Sequence, residues 1–368
     1  MRKCALDTGP DSIKMKTLML TKRRIGICLL GVTPLPEILQ IAQVAEEAGI
    51  DSFWLAEGHY FFRDIGEPKS ATSIAVAIAI RTSKIKIGLG IVPYHTRHPG
   101  LLAMEARTLW ELSEGRFILG LGAAKAAALH MGYEEKDLRA VTAHREALDL
   151  IRKYLAGRPF EQRGKVFSAD APPRQPGLDT PAVPLVIAAT GPKMLQLGGE
   201  TADAVLLPTF TTPRFVEYAV GEIAKGAARA GRSVNDIPIG ATLPFSVAED
   251  GAVARSAIRK LTAVYIANKV QNIQNDVILS SAGLTEAETV PISGTMRKRG
   301  ADAAARMVTD EILDKVVIAG NPQEVTHKLF DLAAAGLRLP LLYQLLGPDK
   351  EVAVRIVAEK VKPIFEAP

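Results

Sequence analysis

Cysteine is nearly absent: among 368 residues only Cys4 and Cys28 carry a thiol, one in a charged leader and one in an apolar run. Two thiols so placed support neither a disulfide framework nor a cysteine-rich zinc site, and they fit a reducing, cytoplasmic setting. Long hydrophobic runs are missing too. Stretches such as Ser73 to Ile80 (SIAVAIAI) fall far short of the roughly 20 residues a membrane helix needs, so no membrane association is expected. The N-terminus shows no apolar core and cleavage site of a secretory signal. An excess of one charge is also missing from the body of the chain. The formal net charge is +5, but residues 1–24 hold seven basic and two acidic side chains, which leaves 38 of each sign for the rest. A neutral body offers no cationic stripe to a phosphate backbone, so nucleic acid is not an expected partner; the basic leader is the one signal of that kind.

What is present is a composition able to bury a sizeable core, 48% hydrophobic and 23% charged. Residues 1–23 read as a flexible extension and 24–368 as a single domain. Apolar runs rich in Ile, Val and Leu alternate with longer segments of helical period. The spacing predicts strands near 24–30, 51–55, 85–92, 116–121, 184–189, 203–207, 237–243 and 338–344. Between the first pair, Leu35, Ile38, Leu39, Ala42 and Ala45 recur at helical spacing, and Gly49 stands where a glycine C-cap belongs. Eight strands, each followed by helical sequence, predict an α/β (β/α)8 TIM barrel rather than a doubly wound sheet. Gly120-Leu121-Gly122 lacks the third glycine of a dinucleotide-binding loop. Two regions break the rhythm, 157–184 and 271–299, and read as insertions after strands four and seven that project over the catalytic face of the barrel.

In such a barrel the chemistry sits just past the strand ends. Past strand two stand Glu57, Gly58 and His59. A carboxylate and an imidazole two residues apart can bind or protonate a polar ring, and equally can form an ion pair in a surface loop. The remaining histidines show no ligand-like spacing, so no metal is expected. Past strand three, Gly88 and Gly90 cost a central strand stability, which points to a bulge, a close approach by something large and flat, or a crowded corner. Strand four ends in Gly122, Ala123 and Ala124 before Lys125, leaving room for a planar ligand. After strand five, Ala189, Thr190 and Gly191 precede Pro192 at the start of a helix, where backbone N–H groups attract anions; the same turn also serves as ordinary loop. Nothing resembles a nucleophile elbow, a Walker loop or a catalytic carboxylate pair, which leaves hydrolase and phosphotransferase chemistry without its parts.

Four stretches in this order resemble the bacterial luciferase-like superfamily, and within it the deazaflavin branch similar to methylenetetrahydromethanopterin reductases. They are Pro93-Tyr94 with Arg97-His98-Pro99, Leu112 to Gly122 (LSEGRFILGLG), Ala189 to Ala204 (ATGPKMLQLGGETADA) and Gly347-Pro348-Asp349-Lys350. The resemblance runs from about Arg24 to the C-terminus. It implies a barrel that binds coenzyme F420, or FMN, across its mouth, with the ring against a strand-three bulge whose non-prolyl cis peptide would fall at Gly90-Ile91. It implies that Glu57 and His59 contact the ring or transfer a proton, with His59 the first choice for the proton and Glu57 for orienting it. Gly122, Ala123 and Lys125 would line the ring and side chain, and Ala189, Thr190, Gly191 and Thr209 the phosphate. The implied activity is hydride transfer to or from a small organic substrate. The alternatives are an FMN-dependent monooxygenase fed by a separate flavin reductase, and a non-catalytic flavin-binding subunit. The resemblance also implies a homodimer. Three positions depart from the pattern: Gly58 separates Glu57 from His59, Cys28 replaces an acidic residue in strand one, and Lys125 is basic where some deazaflavin enzymes are acidic.

Overall fold

The structure, a computed structural model, describes residues 22–59, 65–173, 180–272 and 277–367. The extension read over 1–23 therefore lies, up to residue 21, outside the described residues.

The expected strands form where the apolar runs lie. They are β1 (Gly26–Leu30), β2 (Ser52–Ala56), β3 (Lys86–Leu89) with a short β4 (Val92–Pro93), and β5 (Phe117–Gly122). After a two-stranded hairpin of β6 (Phe160–Arg163) and β7 (Ser168–Ala171) come β8 (Leu185–Ala188), β9 (Ala204–Leu207) and β10 (Ile239–Val247). The chain ends its sheet with β11 (Ile318–Gly320) and β12 (Leu339–Leu346). Strands β1, β2, β3, β5, β8, β9, β10 and β12 pair in that cyclic order, all parallel, and β12 returns to β1. The molecule is a (β/α)8 barrel. Parallel pairing puts every C-terminal strand end at one mouth, which is where insertions and βα loops can build a site.

The helices between strands follow from their stripes. In Leu35–Glu47 the residues Ile38, Leu39, Ile41, Ala42, Val44 and Ala45 are buried, and Gly49 ends the turn at φ 72°. That left-handed conformation strains any residue with a Cβ, hence the glycine. Among the described residues no helix is long and apolar enough to cross a membrane.

Strand three differs from the continuous 85–92 of the sequence reading. It breaks after Leu89, passes through a cis peptide at Gly90-Ile91, and resumes as β4 against β5. The bulge is tied to β2 by two backbone bonds: Gly90 N–H donates to the Leu55 carbonyl (2.8 Å), and Glu57 N–H donates to the Ile91 carbonyl (3.1 Å). The large flat object behind Gly88 is internal. A Cβ at Gly88 would lie 2.2 Å from the indole of Trp54. That side chain fills the barrel at 1% exposure, with its Nε1 donating to Ser52 Oγ (2.9 Å). Gly88 thus answers to packing and Gly90 to the bulge.

Both insertions stand after the fourth and seventh barrel strands, as expected, and each carries secondary structure of its own. The first follows the helix Ala140–Ala156 and contains the β6–β7 hairpin, whose turn is held by the Glu146 carboxylate accepting from the N–H groups of Lys165, Val166 and Phe167. Phe167 then packs edge-on to Tyr94 and His98, on the flank of the barrel; residues 174–179 of this insertion lie outside the described residues. The second is helical, with Gly251–Asn272, Val277–Ser281 and Glu286–Arg299, and 273–276 lie outside the described residues.

Candidate active site

A cavity of about 550 Å³ opens at the C-terminal mouth, a volume suited to a small-molecule or cofactor site. The residues expected to transfer the proton or hold the cofactor all lie on its wall: Glu57, His59, Gly90, Ile91, Gly122, Ala123, Lys125, Ala189, Thr190, Gly191 and Thr209. They arrive from five different strand ends, so only closure of the barrel brings them together. The wall from the bulge to β5 is made of small groups. An added Cβ at Gly122 would stand 2.6 Å from Ile91 Cδ1, so glycine there lets the bulge and β5 lie close and leaves a flat surface.

The charged end of the cavity is built around Arg97, which the loop after β4 delivers. Its Nη2 donates to Glu57 Oε1 (3.0 Å) and its Nε lies 3.4 Å from Glu105 Oε1, with side-chain exposures of 14%, 10% and 25% for Arg97, Glu57 and Glu105. A buried guanidinium between two carboxylates is satisfied on its planar edge, which suits Arg rather than Lys. The expectation that Glu57 orients His59 meets a different arrangement here. Glu57 gives one oxygen to Arg97, while its Oε2 and His59 Nε2 are both buried without a hydrogen-bond partner. Burial, and then the positive charge of Arg97, hold the His59 imidazole below its ordinary pKa. It is therefore neutral at neutral pH, with a buried ring nitrogen that has no hydrogen-bond partner. Behind it, His95 is pushed down to about 4 by burial and by His59, and burial raises Glu105.

Lys125 stands at the rim, where its Nζ meets Glu135 Oε1 at 2.6 Å. Ala124 before it takes φ 39°, which turns the chain from β5 into the short helix Lys125–His130. Past the neighbouring strand β8, Gly191 is the N-cap of Pro192–Thr201 and no side chain caps that helix. A Cβ built on Gly191 meets nothing within 4 Å, so space is open beside this helix start, and an uncapped helix start is a place that can receive an anion.

Sequence reasoning missed the remaining wall, formed by Tyr343 on β12 and by Tyr265 and Lys269 on the helix Gly251–Asn272, with Ile278 beyond. Tyr265 Oη donates to Tyr343 Oη at 2.7 Å, and both rings are buried. Tyr265 and Lys269 are four residues apart on one helix face, a spacing visible in the sequence, but nothing local says that this face meets β12. Among the described residues none from the first insertion lines the cavity, whereas Ile278 of the second does.

With this geometry in hand, comparison with known proteins agrees. A family model described as luciferase-like monooxygenase matches residues 15–339. The chain is 30% identical to the 5,10-methylenetetrahydromethanopterin reductase of Methanolobus tindarius over 91% of this chain and 98% of that one. It is 31% identical to the reductase of the same name from Methanopyrus kandleri over 93% and 98%. The solved structure of the coenzyme F420 dependent tetrahydromethanopterin reductase from Methanopyrus kandleri superposes with a TM-score of 0.83 at 30% identity, covering 94% of this chain and 99% of that one. An eight-stranded parallel barrel, a bulge at its third strand and a full-length match therefore lead to one assignment: the chain belongs to the luciferase-like monooxygenase family and is an oxidoreductase.

Proposed function

We propose that this chain uses coenzyme F420 to move a hydride to or from a small organic substrate at the barrel mouth, with residues 24–368 acting as one catalytic domain in a reducing, cytoplasmic setting. The observation that carries the reading is the composition of the cavity at the barrel mouth: a wall of small residues, an uncapped helix start, and a buried His59 whose Nε2 has no hydrogen-bond partner. The names of the relatives support the same cofactor.

The residues fit such a group. Gly90, Ile91, Gly122 and Ala123 offer a surface to a planar ring, Lys125 sits where a side chain leaves the mouth, and Ala189, Thr190, Gly191 and Thr209 surround the place for a phosphate. When bound, the deazaflavin supplies the carbon that accepts or releases the hydride. The protein's part is position and charge. Arg97 fixes Glu57 and, with burial, keeps His59 neutral, so that its Nε2 can take or return the proton that accompanies the hydride.

Side-by-side fluorescence titration of oxidised F420 and FMN tests the reading, and tight F420 binding with weak FMN binding is the expected result. The reverse would transfer the claim to an oxygen-using enzyme fed by a flavin reductase, and binding of neither would favour a non-catalytic subunit. His59→Ala is expected to keep F420 binding while the F420-linked reduction slows by about a hundredfold or more. Undiminished turnover would remove His59 from that role.

A further inference from the structure

Between the fourth barrel strand and the helix Ala140–Ala156 the chain makes an excursion whose two ends share one unusual backbone. Ala124 stands at φ 39°, ψ 51° and Arg139 at φ 39°, ψ 44°. A left-handed conformation crowds the Cβ of any residue other than glycine, so each junction carries strain that an ordinary backbone angle would relieve. Both junctions abut fixed elements. β5 is paired in the barrel on either side, and Ala140–Ala156 buries Ala147, Leu148 and Ile151.

Residues 125–138, between the junctions, hold together as one body. Their short helices Lys125–His130 and Glu135–Leu138 are joined by Lys125 Nζ meeting Glu135 Oε1 at 2.6 Å, and Tyr133 N–H donates to the Ala128 carbonyl (3.1 Å). The inner part is cavity wall, supplied by Lys125, Ala126 and Ala127. The outer part, Leu129 to Asp137, is exposed throughout, with Leu129, Met131 and Tyr133 at 39%, 46% and 42%. Apolar side chains at the edge of an open cavity are stabilised by covering what fills it. One attachment to the barrel is a latch: Tyr133 Oη donates to the His95 carbonyl at 3.1 Å, with the two rings edge-on at 5.0 Å. That bond is exposed, so water replaces it at little cost.

We propose that residues 125–138 are a strap, hinged at Ala124 and Arg139 and latched by Tyr133, that swings shut over a planar molecule seated against the bulge wall. The proposal rests on the reading of this cavity as a cofactor site and adds how that site is closed. Swinging relaxes the hinge residues and covers Leu129 and Met131, while the latch opposes it. An occupant tips the balance through contacts made only when the strap is shut.

NMR of methyl-¹³C methionine in the full chain, with a soluble paramagnetic agent, reads the strap through Met131; Met104, exposed on the distant helix Pro99–Leu112, is the control. Bound F420 is expected to remove the broadening of Met131 and leave that of Met104. Two substitutions outside the cavity wall should act in opposite directions. Arg139→Gly relieves the strain of the resting position, so F420 should bind about fivefold more weakly although the thermal midpoint does not fall. Tyr133→Phe deletes the latch bond, and F420 should bind about threefold more tightly. Without ligand, the Met131 signal should move in opposite directions along one line in the two variants. F420 bound with Met131 as broadened as before, Arg139→Gly binding as well as the parent, or ligand-free shifts that are absent or share one direction would overturn the strap. No binding of F420, with the opposed ligand-free shifts present, would overturn the cofactor reading alone. Shielding of Met131 by FMN in place of F420 would keep the strap and change the cofactor.

Discussion

Arg97 stands with a quarter or less of each partner exposed, its guanidinium shared between Glu57 and Glu105. Removing one member of such a group leaves like charges buried without compensation, so Arg97→Met is expected to cost about 3 kcal/mol in urea unfolding at pH 8. The sign of its pH dependence follows. In Glu105, burial raises the carboxyl and Arg97 lowers it, so without the guanidinium it rises further; the loss is full well above the carboxylate range and shrinks as the pH falls through the raised value. The second of the two causes that depress His59 disappears as well, and its imidazole should titrate closer to 6.5 by NMR. An unshifted His59 and a pH-independent loss would show that Arg97 only packs. Legibility at this scale tracks sequence distance. Glu57 and His59, or Thr190 and Gly191, are neighbours whose chemistry shows in a short window. Arg97 and Glu57 lie 40 residues apart, and the two tyrosines 78, so neither pairing is written in any local pattern.

Among the elements, all eight barrel strands are readable because each is a short apolar run, Ile/Val/Leu-rich in most and Phe-Trp-Leu in β2, and a buried parallel strand needs no more than that. What escaped has specific causes. β11 contributes only Ile318–Gly320 beyond the closed barrel, against the extended end of β10, and a three-residue run carries no period. β6 alternates half-buried Phe160 and Gln162 with exposed Glu161 and Arg163, so its charge density read as loop. The helix Glu286–Arg299 lies within the second insertion and holds Pro291. Yet Thr285 and Glu288 form a capping box, each bonding the other's backbone N–H, and Thr-x-x-Glu is the signal that would have placed its start. The break in strand three was legible as two glycines. Their separate causes, Trp54 behind Gly88 and the cis bond after Gly90, needed the barrel's interior.

At the scale of the whole molecule, one helix carries exposed apolar side chains on the face away from the core, beside Thr108 and Glu111. Leu102, Ala103, Ala106 and Leu109 of Pro99–Leu112 face the core, while Leu101, Met104 and Leu112 are 46%, 67% and 42% exposed along the opposite stripe. The neighbouring helix Ala71–Arg81 adds Ile80 at 70% exposure. A surface helix ordinarily turns a polar face to water, and a contiguous apolar patch on two adjacent helices marks a surface that is covered. The body's balanced charge, 38 of each sign, places no net repulsion between copies. We therefore expect a homodimer that pairs these helices about a two-fold axis, where the same stripe meets itself. Periodicity alone could not reveal this, because an outward Leu or Met reads like a core residue until the fold shows which side is already filled. Sedimentation velocity on the wild-type chain should give twice the mass of one chain, and Leu101→Lys with Met104→Lys should give a folded monomer, since two charges per copy would be desolvated at the seam. A wild-type monomer, or a dimer indifferent to both lysines, would leave the stripe exposed or move the interface elsewhere. The cavity lies at the barrel mouth and takes no residue from either helix, so the monomeric variant is expected to bind F420 as the parent does.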